Sequence, residues 1–197
     1  MQPIIFSIIV VAERFIETIR ARGGSGEIEA EWTTWCLILS YLMVVSAASL
    51  ECLLQDAWFE VTPLRFMGFV LFVFAGVCRF WVVRSLGSNN SIHIRVRYNH
   101  QLVVEGPFHY TRHPYYVSVV CELVGFCLLY NAYYSLYLIL FVEIPLLALR
   151  IRLEEKKLLE KFGNGYRTYR SSVGILPPSF VSYRKQRRSE RHSRLKR

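Results

Sequence analysis

Apolar residues run along this chain in long blocks, and most of the polar residues gather between them. Residues 64–83 form one block long enough to cross a bilayer, which takes roughly 20 apolar residues. Pro63 stands at its first turn, where a missing N–H costs nothing. Residues 35–54 form a second block, interrupted only by Glu51 near its end. Residues 3–19 form a weaker one, because the uniform apolar run stops at Ala12 and Glu13, Arg14 and Glu17 follow. That segment either spans with Arg20 reaching to the surface or lies partly in the interface.

The block at 117–149 is too long for one span and short for two. As a single helix it would measure about 50 Å, against a hydrocarbon core of roughly 30 Å. Asn131 lies near its middle beside Tyr130, Tyr133 and Tyr134. This predicts a tight helical hairpin whose turn sits at a membrane interface, where tyrosines are favoured. Pro145 is expected to kink the second arm. The fold class expected is therefore an all-α integral membrane protein with about five transmembrane helices, the hairpin among them.

Composition agrees. Hydrophobic residues make up 53% of the 197, yet the formal charge is +9. Arginines follow the first uniform apolar run (Arg14, Arg20, Arg22) and precede the hairpin (Arg84, Arg95, Arg97, Arg112), and the stretch from Arg150 onward is basic on balance. Residues 55–62 and the hairpin turn carry no Lys or Arg. The rule that basic loops stay cytosolic then places the N-terminus outside, with both polar segments and the C-terminus in the cytosol. The start of the chain has no basic n-region and reads as a first helix, not a removed signal. Residues 1–182 are expected to form the membrane-embedded domain. Residues 183–197 form a basic tail with almost nothing to bury, expected to be disordered and to meet anionic lipid, not nucleic acid.

The five cysteines form no C-x-x-C pair and lie in or beside apolar runs, so they read as small fillers, not as a zinc or disulfide framework. No metal-ligand spacing and no Ser/His/Asp arrangement is present. Gly163-Asn-Gly165 neither follows a strand nor opens a helix, so it is no dinucleotide fingerprint.

Candidate chemistry sits at the two ends of the 117–149 block. Before it, residues 85–115 are polar within a hydrophobic chain. Gly87, Ser88, Asn89 and Asn90 signal a turn, residues 92–97 alternate as a short strand would, and Gly106-Pro107 forms another turn. Loops this long in compact domains are functional or disordered, and the interleaved Val, Ile, Phe and Tyr argue against disorder. In Arg112-His113-Pro114 the proline excludes His113 from the helical region and can start the next helix. The ring of His113 and free N–H groups then face any ligand there; the plainer alternative is a capping histidine. After the block come Arg150, Glu154 and Glu155, with Arg150 and Glu154 one turn apart and able to pair; a solvated amphipathic helix is the plainer alternative. Glu122 and Glu143 lie deeper, where carboxylates are costly and are functional suspects, or hydrogen-bond between helices.

These pieces, in order, resemble the isoprenylcysteine carboxyl methyltransferase family. The resemblance rests on Leu102-Val103 before Gly106-Pro107-Phe108, then Arg112-His113-Pro114-x-Tyr116, an apolar hairpin, Glu154-Glu155, Phe162-Gly163-x-x-Tyr166-x-x-Tyr169 and Leu176-Pro177. Glu17-x-x-Arg20-x-Arg22-Gly-Gly also looks like bacterial members. The resemblance implies S-adenosyl-L-methionine bound near the cytosolic surface without a Rossmann fold. It implies cofactor contacts from Gln101, Leu102, Val103, Val104 and Gly106, and from His113, Pro114, Tyr116, Glu154 and Glu155. Arg112 or Arg150 would orient the acceptor as the catalytic arginine. Glu122, Glu143, Tyr166 and Tyr169 are the candidates for the substrate side, with the two tyrosines closing the pocket. The acceptor would be lipophilic and enter from the bilayer. Ser118 stands where the family often has Gly, Phe108 where it often has Tyr, and His109 is also less usual.

Three other classes compete: a phospholipid or lipid amine N-methyltransferase, a sterol-type reductase using a nicotinamide cofactor, and a non-enzymatic membrane protein. An amine acceptor must lose a proton, so that reading expects a base, with Glu122 or Glu143 as candidates.

Overall fold

The computed structural model describes residues 2–22, 31–55, 62–86 and 104–175. All regular elements among these residues are helical. Helices α1 (Gln2–Arg22), α2 (Glu31–Leu54) and α3 (Pro63–Leu86) are followed by a short 3-10 turn at Gly106–His109 and by α4 (Pro114–Leu129). The chain then reverses and climbs through α5 (Ser135–Leu138), a π-turn (Ile139–Glu143) and α6 (Ile144–Phe162), and ends its described part in α7 (Asn164–Ser172). The proposed strand at 92–97, the turn at 87–90, Gln101, Leu102, Val103 and the tail at 183–197 lie outside the described residues.

Among the described residues, two helices are long and apolar enough to cross a membrane, Trp32–Leu54 and Pro63–Leu86, and Pro114–Leu129 is a shorter apolar helix. The arrangement of side chains on α3 supports a lipid surround. It buries Arg65, Gly68, Ala75, Arg79 and Val82 and exposes Phe66, Phe69, Phe74, Val77 and Phe80. Water would select the reverse. Hydrocarbon favours phenylalanine outside and requires each arginine to find partners within the bundle.

The hairpin forms where expected. Helix α4 ends at Tyr130, and Asn131 takes a left-handed conformation (φ +54°) that asparagine tolerates better than most residues. The N–H of Ala132 then returns to Cys127 O at 2.8 Å, closing the helix end. Glu51 of α2 accepts hydrogen bonds from the N–H groups of Tyr134 and Ser135, both at 3.1 Å, and so caps the start of α5. The Asn131 amide, with its oxygen turned to Arg65, accepts from the guanidinium at 3.1 and 3.2 Å. Arg65 thus belongs to the hairpin turn, one span away from the other buried arginines.

In the second arm the irregularity sits just ahead of Pro145. The N–H of Ile144 donates five residues back to Ile139 O, a π-turn. Proline removes the next donor from the helical ladder, and the widened turn absorbs the mismatch.

Helices α3 and α4 approach very closely through two glycines. A Cβ on Gly68 would lie 2.5 Å from Leu129 N, and one on Gly125 would lie 2.7 Å from Phe72 N. Small residues let backbones meet where no hydrophobic effect drives helices together. The apolar core comprises Tyr41, Val44, Val45 and Ala48 from α2 and Val119, Leu123, Phe126 and Cys127 from α4. A second cluster, Tyr166, Tyr169 and Val173 with Leu158, Leu159, Phe162 and Val104, packs α7 onto the end of α6.

Candidate active site

Pro114 opens α4 and His113 is its N-cap residue, in a non-helical conformation (φ −126°, ψ 59°). The preceding segment is tied to the chain after α7. The N–H of Arg112 donates to Gly174 O at 3.0 Å, the hydroxyl of Thr111 donates to Ile175 O, and the hydroxyl of Tyr169 donates to Phe108 O at 2.7 Å. Phe108 acts here through its carbonyl, so the missing phenol hydroxyl does not enter this contact. The hairpin brings the outer half of α6 to the same place. His113, Glu154 and Glu155, far apart in sequence, meet at one end of the bundle.

Glu155, 6% exposed, is the centre of the charges. Its Oε1 lies 3.3 Å from Arg112 Nη1 and 3.5 Å from His113 Nε2, and its Oε2 lies 3.3 Å from Arg170 Nε. Burial pushes this carboxyl's pKa up, but the facing His113, together with Arg112 and Arg170, outweighs burial and holds it below its usual value. Glu154 is 3.8 Å from His113 Nδ1 and accepts a hydrogen bond from the Tyr116 hydroxyl at 2.8 Å. The Tyr116 ring stacks on His113, with centroids 5.7 Å apart. Arg150, 2% exposed, donates from Nε to the Tyr116 hydroxyl at 3.4 Å and from Nη1 to Thr33 Oγ1 of α2. Arg150 and Glu154 therefore meet through Tyr116.

Among the described residues, four buried polar atoms here make no hydrogen bond: Arg112 Nε, the Tyr166 hydroxyl, and His113 Nε2 and Glu155 Oε1, which meet only as an ion-pair contact at 3.5 Å. Burial, reinforced by the charge of Glu155, raises the pKa of the Tyr166 hydroxyl, so it remains a donor. Unsatisfied buried polar groups are expensive. A set containing donors, a carboxylate and an aromatic face fits a polar, cationic ligand with hydrogen-bonding groups at both ends. S-adenosylmethionine has that chemistry.

Of the residues singled out from sequence, the structure brings together Arg112, His113, Pro114, Tyr116, Arg150, Glu154 and Glu155, with Tyr166 beside them. Val104 and Tyr169 border this set through the α7 cluster. Gly106, at φ +64°, faces Trp81 and Ser85 on α3. Glu122 and Glu143 lie deeper. The carboxylate of Glu122 is bound by Arg14 and Arg79 and accepts from the Tyr41 hydroxyl at 3.3 Å. That of Glu143 accepts from Ser40. Sequence reasoning missed Arg79, Thr33, Tyr115 and Arg170. Arg79 could have been found as a charge inside an apolar block. Arg170 had no comparable signal, because its role depends on how α7 folds back.

The model of the Isoprenylcysteine carboxyl methyltransferase family matches residues 67–160. This stretch contains His113, Tyr116, Arg150, Glu154 and Glu155 and leaves out α1, α2 and α7. Protein-S-isoprenylcysteine O-methyltransferase of Saccharomyces cerevisiae is 30% identical over 148 residues, covering 69% of this chain and 62% of the yeast protein. The uncharacterized protein YpbQ of Bacillus subtilis is 37% identical over 84 residues, 43% of this chain and 50% of that protein. An uncharacterized Haemophilus influenzae protein is 28% identical over 127 residues, 64% of this chain and 73% of its own length. The chain thus spans between half and two thirds of the first two relatives.

Proposed function

We propose that the chain is a member of the isoprenylcysteine carboxyl methyltransferase family and that it methylates the carboxylate of a lipophilic, prenylcysteine-like acceptor using S-adenosylmethionine. The observation that carries this reading is the group of buried polar atoms on Arg112, His113, Glu155 and Tyr166 that make no hydrogen bond among the described residues, at the mouth of an apolar bundle.

When bound, S-adenosylmethionine supplies a methyl on a sulfonium, so the acceptor oxygen bonds to carbon as the carbon–sulfur bond breaks, and neither general acid nor base is required. Glu154 and Glu155 offer carboxylates to an ammonium group by charge-assisted hydrogen bonds. Tyr116, held by Arg150 and Glu154 and stacked on His113, places an aromatic ring beside these carboxylates, and such rings attract cations. Arg112 and Arg150 are the candidates to hold the acceptor carboxylate. The clasp between Tyr169 and Phe108 draws α7 over the site and helps exclude water, which favours a reaction that cancels two opposite charges. An amine acceptor would need a base. The candidates Glu122 and Glu143 are engaged by Arg14 and Arg79 and by Ser40, which favours the carboxylate acceptor.

The proposed topology has five spans, the N-terminus outside, and the site and C-terminus in the cytosol. The acceptor's tail reaches the site from the bilayer and the cofactor from the cytosol. Two facts support it: the arginine distribution along the chain, and the meeting of His113 with Glu154 and Glu155 at one end of the hairpin.

The test is calorimetric titration of S-adenosylhomocysteine into the detergent-purified full chain, followed by radiolabelled methyl transfer to carboxyl and amine lipids. Binding, with label recovered as a base-labile ester, is expected. Absence of binding, or label on amines alone, overturns the proposal.

A further inference from the structure

Helix α1 lies outside the stretch that matches the family, yet its polar side chains are tied into the bundle next to the site. Arg14 contacts the Glu122 carboxylate and its guanidinium stands 5.1 Å from the Tyr41 ring centroid. Arg79 of α3 joins the same carboxylate and reaches back to α1, to Glu13 at 2.6 Å and Glu17 at 3.5 Å. Charge neutralisation in an apolar surround explains this much.

Arg14 does one thing more. Its Nη1 donates to the Tyr115 hydroxyl at 3.2 Å. The Tyr115 ring meets Tyr116 edge-on, with centroids 5.9 Å apart and planes at 82°. Tyr116 in turn stacks on His113 and donates to Glu154. A line of contacts therefore runs from α1 through the first turn of α4 into the site. That turn is closed by Val117 N–H donating to His113 O at 3.2 Å and by the Ser118 hydroxyl donating to Tyr115 O at 2.7 Å, but no side-chain hydrogen bond caps it at His113, and Pro114 contributes no N–H. Its tyrosine side chains are held by Arg14 at Tyr115 and by Arg150 and Glu154 at Tyr116.

We infer that Arg14 is a positioning residue for methyl transfer, acting through Tyr115 and Tyr116 on His113. The inference rests on the methyltransferase reading above for its kinetic consequence only. Alignment governs this reaction, and a displacement of about 1 Å can cost about a hundredfold in rate.

The decisive variant is Tyr115→Phe, which removes the Arg14 hydrogen bond and leaves the Arg14–Glu122 pair and the guanidinium over the ring in place. Its expected signature is a fall in kcat of about tenfold or more, with the KM for S-adenosylmethionine and the thermal midpoint close to wild type. Arg14→Lys should recover part of what Arg14→Met loses. A wild-type kcat in Tyr115→Phe overturns the inference, whatever Arg14→Met does to folding. If the wild-type chain transfers no methyl group, the functional reading fails, and the positioning claim is decided by NMR of the His113 imidazole. A displaced His113 resonance in Tyr115→Phe supports it, and an unmoved one overturns it.

Discussion

The imidazole of His113 faces the carboxylate of Glu155 at 3.5 Å across the seam between α4 and α6. Each comes from an opposite end of the hairpin, so their meeting requires the chain to turn back near Asn131. It also makes the site a product of both arms, with α7 adding Arg170 from a third side.

His113→Ala and Glu154→Ala are each expected to abolish methyl transfer while the protein still inserts and folds. Glu155→Ala should weaken S-adenosylhomocysteine binding by about 1.5–3 kcal/mol, the range for a hydrogen bond to a charged group. Titration calorimetry on the purified variants checks this. Normal turnover in either of the first two would remove that residue from the site.

Glu155 also gives the protein an acid-sensitive contact. Its pKa in the folded state lies below the ordinary 4.5 because His113, Arg112 and Arg170 outweigh burial. A depressed carboxyl stabilises the fold fully above its unfolded-state value, and that contribution disappears as pH falls through the folded-state value. The thermal midpoint should therefore decline below about pH 4.5, and more shallowly in Glu155→Gln. Parallel curves for the two proteins would argue against the assignment.

The contact between α3 and α4 leaves no room for a side chain at Gly125, where a Cβ would lie 2.7 Å from a backbone nitrogen of α3. Gly125→Ala should destabilise by about 1–3 kcal/mol, the usual cost of overpacking. Gly76→Ala, where a Cβ meets nothing within 4 Å, should leave stability unchanged or slightly raised. Thermal unfolding in detergent compares the pair, and equal midpoints would mean the helices separate freely.

Sidedness is open to cysteine labelling, with single cysteines at Asn89, Asn131 and Ser171 in a cysteine-free background. Asn89 and Ser171 should react from the cytosolic face, and Asn131 only from the opposite face or not at all. Labelling of Asn89 and Ser171 from opposite faces is incompatible with one shared site.

What the sequence by itself determined is whatever depends on short stretches of chain. Apolar blocks define α2 and α3, Pro63 and Pro114 mark helix starts, and Asn131 among tyrosines marks the turn. The ordered motifs around His113 and Glu154 carry the resemblance to the family. Only the tertiary structure decided which charges meet. Arg150 goes to Thr33 and Tyr116, Arg112 to Glu155, and Arg14 and Arg79 to Glu122. The reason is geometric. A helix carries side chains around its whole circumference, and in an apolar surround every buried charge must find a partner. Which partner it finds depends on how each helix is rotated and how closely it packs. Gly68 and Gly125 set that spacing for α3 and α4, and no local pattern encodes the result.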